Sequence, residues 1–250
     1  MEYYESLKET FFSQSHSTLR GCANVTPRGW VFIMECYNTL MNLKTYAFID
    51  ASNLFYGGEK SLGWKIDYKK LFVYLQKKYG AKKILYFGGV EIESFKYDYL
   101  KNESVPLRSL EKYITDYIRR FGPKMDEAQL LLLSRHVKRI KFYLKLHEFG
   151  YKLFLKPVKI YHQENGNTQR KANCDVDLAF HLMKEIEMYE RVLVLSGDGD
   201  FLPVLKHLRT VGKQVIVLSR GSRTAREMRQ FAGNQFTDFV RLKKELKFES

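Results

Sequence analysis

Two carboxylates, two residues apart, stand directly behind an apolar strand in this chain. Val192-Leu193-Val194-Leu195 is apolar without alternation, the pattern of a strand covered on both faces. It breaks into Ser196-Gly197-Asp198-Gly199-Asp200-Phe201, which brings a hydroxyl, two glycines and two acids onto one turn. Phe201-Leu202-Pro203-Val204-Leu205, running to Thr210-Val211-Gly212, reads as a helix with Pro in its first turn and Gly past its end. Asp198 and Asp200 therefore sit at the carboxyl end of a strand, the edge at which open α/β sheets bind ligands. At that spacing they repel each other unless a cation lies between them. A plainer role, Asp200 as helix N-cap on a surface turn, does not explain Asp198.

Two further stations supply acids. Tyr46-Ala47-Phe48-Ile49-Asp50 is another buried strand ending in a carboxylate, followed by Ala51-Ser52-Asn53. A helix is predicted over 173–188, with Leu178, Ala179, Leu182, Met183 and Ile186 as its buried face. Asp175 lies three and four residues from Leu178 and Ala179 and shares that face, where an unpaired charge is costly even with help from the helix dipole. Asp177 points about 200° away and reads as surface or rim. If the first and fourth strands are neighbours in a doubly wound sheet, their carboxyl ends meet at the switch point and Asp50, Asp175, Asp198 and Asp200 converge. Four acids with no nearby His or Cys pattern are oxygen ligands for a hard cation, Mg²⁺ or Mn²⁺. Two such ions about 4 Å apart can clamp an in-line phosphodiester displacement.

The elements that must position these groups follow from periodicity. Gly57-Gly58 and Gly63 mark a loop, and Asp67 caps a helix carrying Leu71, Phe72 and Leu75 and closed by Gly80. The second strand, 84–87, is closed by Gly88-Gly89. Residues 91–123 are polar, basic and tyrosine-rich, helical over 110–121, and inserted between core elements. Asp126 opens a long helix that ends at Gly150; Val158-Lys159-Ile160-Tyr161 continues a third strand, 152–155, into a loop turning at Asn165-Gly166-Asn167. A fifth strand is predicted at 215–218 and a sixth at 236–240, with Ser222 capping a helix that holds Ala225, Met228 and Ala232. Strands alternating with helices give an α/β fold with a mainly parallel sheet. The expected organisation is an N-terminal extension at 1–40, poorly ordered but with room for an amphipathic helix near 31–41; a domain at 41–243 with its inserted helical segment near 91–125; and a charged tail at 244–250.

The balance of charge points to a partner. The 250 residues carry a formal charge of +14 and a pI near 9.5, which favours a polyanion, nucleic acid before membrane. Arg135, Lys138, Arg139, Lys141 and the arginines between 220 and 229, Arg223 and Arg226 among them, are candidate phosphate contacts. Tyr and Phe of the 91–123 insertion are candidate stacking surfaces. Cys22, Cys36 and Cys174 have no CxxC spacing, which suits a reducing compartment. No apolar run reaches membrane-spanning length, and Glu2 and Glu5 precede any apolar stretch, so a cytoplasmic protein is expected.

Asp50-Ala51-Ser52-Asn53, Lys171 ahead of Asp175-Val176-Asp177-Leu178-Ala179, and Ser196-Gly197-Asp198-Gly199-Asp200-Phe201 together resemble the NYN domain, in the LabA-like branch of the PIN-like ribonucleases. Gly212-Lys213-Gln214-Val215 and Ser222…Ala232…Phe236 fit its tail. The likeness spans roughly 46–240. It implies a PIN-like three-layer αβα sandwich, central strand order 3-2-1-4-5, and metal-dependent cleavage of RNA. By the same resemblance Asp50, Asp175, Asp198 and Asp200 match the metal-binding acids, and Asn53 and Ser196 match accessory polar positions. Lys171 joins the basic residues on the RNA-binding side. Departures are Ala172-Asn173-Cys174, longer than the usual glycine-containing link; His181, where many members carry another Asp; and the long 91–123 segment.

Other readings lack their residues. A haloacid-type phosphohydrolase needs an acid where Ser52 stands, a nucleotide binder needs a phosphate loop after the first strand, and a Ser/His/Asp hydrolase needs a nucleophile elbow. Two classes stay open: a ribonuclease that takes single-stranded RNA, and a noncatalytic RNA-binding or regulatory module on the same fold. A homo-oligomer is compatible with either.

Overall fold

A computed structural model describes residues 43–55, 60–98, 100–162 and 168–249, the side chains of 160–171 excepted. The expected extension at 1–40, the Gly57-Gly58 loop and the turn at Asn165-Gly166-Asn167 lie outside them. Chain order is β1 (Thr45–Asp50), α1 (Tyr68–Tyr79), β2 (Ala81–Val90), α2 (Leu107–Phe121), α3 (Glu127–Phe149), β3 (Lys152–Pro157), β4 (Lys159–His162), β5 (Thr168–Lys171), α4 (Asp175–Lys184), β6 (Arg191–Leu195), α5 (Leu202–Thr210), β7 (Gln214–Ser219), α6 (Arg226–Ala232), β8 (Phe236–Asp238) and α7 (Lys243–Leu246), with single turns between.

Six strands form one all-parallel sheet in the order β3-β2-β1-β6-β7-β8, which extends the expected 3-2-1-4-5 order by a sixth strand. Period-two alternation sorts β1 between two cores. Ala47 and Ile49 face Leu71, Leu75, Leu110, Ile114, Ile140 and Leu146 of α1, α2 and α3. Phe48 faces Leu178, Leu182, Leu205, Leu208 and Met228 of α4, α5 and α6. Helices cover both faces, so the architecture is a three-layer αβα sandwich. Asp67 caps α1 by accepting from the amides of Lys69 and Lys70, and Gly80 closes it in the left-handed region at φ 66°. Asp126 and Gln129 form a reciprocal capping box at the start of α3.

Several elements differ from the sequence reading. Gly88-Gly89 do not close β2, which runs on to Val90 in register with Leu155, Lys156 and Pro157 of β3. Their lack of a side chain serves packing. A Cβ on Gly89 would lie 2.5 Å from the Ala172 Cβ, and one on Gly88 3.1 Å from the Ala51 Cβ. The link into α4 therefore crosses β2 in close contact and delivers Asp175 to the sheet's carboxyl edge. Residues 159–162 do not continue β3 but pair antiparallel with β5 in a separate hairpin. The helix expected over 173–188 is α4 alone, with a further turn at Ile186–Met188; Met183 lies on its exposed side, 38% accessible, rather than in the core. Ser222 caps nothing: α6 starts after Ala225 without a side-chain cap. The tail is stitched in, with Leu246 fully buried and Lys247 bridged to Ile66. No described helix is long and apolar enough to cross a membrane.

The inserted segment builds a helical hairpin. Val105 donates to the Leu155 carbonyl, so α2 starts beside β3 and packs along α3. The Tyr143 hydroxyl donates to the Gly89 carbonyl (2.7 Å), and Arg139 pairs with Glu91 just past the end of β2. The twelve helical residues of α3 ahead of Arg139 therefore rise roughly 18 Å beyond the carboxyl edge of the sheet.

Candidate functional site

Asp50 ends β1 and is 4% exposed. The register pairs Ile49 with Leu195, so Asp50 and Ser196 are the next residues on adjacent strands. Asp50 Oδ1 accepts from the Ser52 amide (3.0 Å), the Ser52 hydroxyl (2.7 Å) and the Asn53 amide (3.1 Å). Oδ2 accepts from Ser196 Oγ (3.0 Å). A carboxylate buried to this depth is tolerable because both oxygens accept hydrogen bonds.

The fourth-strand turn is pinned to the same network. Asp198 donates its amide to Ser196 Oγ (3.2 Å), so Asp50 and Asp198 share one hydroxyl. Asn53 Oδ1 accepts from the Gly197 amide (2.9 Å) and from Ser219 Oγ (3.4 Å), tying the ends of β1, β6 and β7 together. The capping role falls to Asp198, not Asp200: Asp198 Oδ1 accepts from the Asp200 amide (3.0 Å). Asp200 itself is exposed. Ser219 was not among the residues expected here, although its place at the end of a buried strand matches that of Ser196.

Gly197 is a packing requirement. A Cβ there would meet Ser219 Oγ at 2.7 Å and both Cα and Oγ1 of Thr224 at 2.9 Å. Backbone cannot yield as a side-chain tip can, so Gly197→Ala is expected to lower stability by about 1–3 kcal/mol and to displace the aspartate turn. Melting curves check the first effect. Gly212→Ala, with nothing within 4 Å but φ +81°, makes a control for backbone strain alone.

Asp175 is the first residue of α4, half-buried. Cys174 beside it joins the stations: its thiol is pushed up to about 12, first by burial and then by the carboxylates of Asp177, Asp50 and Asp175. All three carboxylates are near enough to act on the thiol electrostatically. Asp177 lies at the rim, one of the two places expected for it, but with a partner. Its side chain is 29% exposed and ion-paired with Lys156 at the end of β3. His181 is packed, 5% exposed, with its ring 4.0 Å from Phe154 and 5.5 Å from Phe87. Burial, with Lys184 nearby, lowers its pKa below 6.5. Folding therefore favours the neutral ring, and the stability this adds is full above pH 6.5 and fades as pH falls through the lowered value. Compared across that window, the urea midpoint of the wild type should fall relative to that of His181→Phe as pH is lowered.

The profile of the NYN domain matches residues 112–242 of the chain. The chain belongs to the NYN domain family. The match takes in Asp175, Ser196, Asp198 and Asp200 and begins after Asp50 and Asn53. The low amplitude and bright protein LabA of Synechococcus elongatus is 34% identical over 86 residues, 34% of this chain and 46% of that protein, so the match spans about half of the curated relative. Among solved structures, the chain is similar to a protein of unknown function from Vibrio parahaemolyticus (16% identity, TM-score 0.47, 75% of this chain and 88% of that one). It is also similar to the T5 5′-exonuclease with bound divalent metal ions, zinc (17% identity, TM-score 0.39, 75% and 60%).

In this NYN domain the expected basic contacts fall in three places. Arg223 and Arg226 are exposed and flank Thr224 and Ala225, which lie against Gly197 and Gly199 of the aspartate turn. Arg135, Lys138, Arg139 and Lys141 are exposed on α3, Arg139 in its pair with Glu91. Lys171 ends β5, and its side chain is outside the described set. By donor chemistry the NYN carboxylates suit a hard divalent cation, because they are oxygens. Among the described residues no three His, Cys, Asp or Glu side chains stand at metal-holding spacing.

Proposed function

We propose that this NYN domain is a metal-dependent ribonuclease that hydrolyses phosphodiester bonds of single-stranded RNA. The observation carrying the reading is the buried Asp50, fixed from four donors at the central strand's carboxyl end and joined through Ser196 to the Asp198 turn. Asp50, Asp175, Asp198 and Asp200 would hold Mg²⁺ or Mn²⁺, which when bound supplies an activated water and stabilises charge on the phosphate. Ser196 and Asn53 hold Asp50 and the turn in register. Arg223 and Arg226 lie beside the turn, where they would neutralise phosphates of the strand, with Lys171 and the α3 residues Arg135, Lys138 and Arg139 as further contacts. Attack by water leaves the ribose 2′-hydroxyl uninvolved, so products are expected to carry 5′-phosphate and 3′-hydroxyl ends and to vanish with EDTA. Cyclic phosphate ends would overturn the mechanism.

The noncatalytic RNA-binding or regulatory reading has two observations in its favour: Asp198 acts as a turn cap, and both Asp50 oxygens already accept hydrogen bonds. RNA bound but uncut in Mn²⁺ would establish it.

A further inference from the structure

Rings climb the projecting hairpin in an unbroken series. Tyr97 and Phe95, in the loop after β2, stack at 6.2 Å with planes 19° apart. Phe95 meets Tyr113 of α2 at 5.4 Å. Tyr113 stacks on Tyr117 at 6.2 Å and 21°, and Tyr117 meets Phe121 at 4.9 Å. The spacing 113, 117, 121 is the helical i, i+4 repeat, so one stripe of α2 is aromatic along its length. The lower rings are half-buried against the core, whereas the last two open to solvent, Tyr117 at 38% and Phe121 at 39%. The Arg120 guanidinium lies 5.2 Å from the Phe121 centroid.

Burial accounts for the lower rings, whereas the upper two sit at the end of the packed face and stay exposed. On α2 the buried residues are Leu110 and Ile114, and Tyr117 and Phe121 follow them at i+3 and i+7 from Ile114 on the same face, where that face is no longer buried. Large exposed rings at successive turns, one with an arginine over it, form a surface that binds flat π-systems carrying negative charge. The charge around it agrees. Residues 107–149, the two helices and their connection, hold ten Lys or Arg against five Asp or Glu. The series also starts in the loop that opens with Glu91, next to Arg139 and Tyr143 at the sheet's carboxyl edge.

We infer that the exposed Tyr117–Phe121 end of this aromatic stripe stacks unpaired bases of a nucleic-acid strand whose phosphates are held by the hairpin's basic residues. This rests on the RNA-handling part of the proposed function and adds to it where the bases of the unpaired strand are held and why a duplex, whose base faces are covered, is disfavoured. A stacked base is worth about 1–3 kcal/mol, several-fold to a hundredfold in affinity, and stacking tolerates any base. The stripe therefore confers preference for single strands without preference for sequence.

Fluorescence anisotropy of the full chain in EDTA tests this without cleavage, with a short labelled oligoadenylate and an abasic strand of equal charge as probes. The wild type is expected to bind oligoadenylate on the order of tenfold or more tightly than the abasic strand. The double variant Tyr117→Ala, Phe121→Ala should lose that difference while binding the abasic strand as before. Tyr117→Trp with Phe121→Trp should restore it. Lys138→Ala should weaken both probes alike and flatten the salt dependence. Equal binding of both probes by the wild type would overturn the inference, as would an alanine variant with an unaltered melting curve and unchanged oligoadenylate affinity. Loss of the metal-dependent activity reading would show instead as uncut RNA in Mn²⁺ with the two-probe difference intact.

Discussion

Asp50→Asn is expected to fold and to lose Mn²⁺-dependent RNA hydrolysis by on the order of a thousandfold. A divalent ion contributes several kcal/mol of transition-state charge stabilisation, and each 1.36 kcal/mol is about tenfold in rate. The amide keeps an oxygen for Ser52 and Asn53, and its nitrogen donates to Ser196 Oγ where the carboxylate accepted. The folding cost should therefore stay near one charged hydrogen bond, about 1.5–3 kcal/mol. Asp50→Ala differs: it strips the acceptor from two amides and two hydroxyls in a buried site. Its destabilisation should exceed that of the asparagine variant by about 2 kcal/mol or more. Urea denaturation separates the variants, and single-turnover cleavage measures the rate. An asparagine variant that cuts RNA within threefold of the wild type would remove Asp50 from the chemistry.

Metal stabilisation of the fold is expected to depend on Asp198. An ion that binds the folded arrangement and not the unfolded chain stabilises it by about 2.7 kcal/mol at a hundredfold excess over Kd. Asp198 also accepts from the Asp200 amide as a turn cap, and Asn and Asp cap about equally well. Asp198→Asn therefore keeps the cap and removes the charge: its melting point in EDTA should match the wild type, while the upward shift on adding Mn²⁺ shrinks. Asp198→Ala loses both and should melt lower in EDTA by an amount equivalent to about 1 kcal/mol. The full Mn²⁺ shift in the asparagine variant would show Asp198 to be a cap alone.

The two aspartates of the fourth-strand turn illustrate how far spacing reaches. An apolar run followed by Ser-Gly-Asp-Gly-Asp fixes a strand end and a turn, because burial on both faces and glycine's freedom are local properties. The plainer role weighed there was a cap at Asp200, whereas in the structure it is Asp198 that caps, since which carboxylate reaches an amide depends on the backbone angles of the turn. Short apolar runs and period-3.6 patterns likewise located the six sheet strands and the main helices, with Asp67, Gly80, Asp126 and Gly150 as caps and stops.

What the sequence determined was the order of the sheet strands and main helices and the three stations of acids, for each station is written in consecutive residues. What tertiary structure alone decided was every relation across the sheet. Gly88-Gly89 read as a strand end because glycine usually interrupts; in the fold they make room for Ala51 and Ala172, atoms distant in sequence. Asp177 read as surface or rim because helical angle counts only its own helix; it is partly exposed, and its partner Lys156, invisible to that count, comes from β3. Ser219 and Thr224 close around Gly197, and Cys174 lies where the fields of Asp50, Asp175 and Asp177 meet. Such convergences arise from strand register and helix packing, in which each residue's neighbours are set by the whole chain's burial of its apolar surface and not by its own position in the sequence.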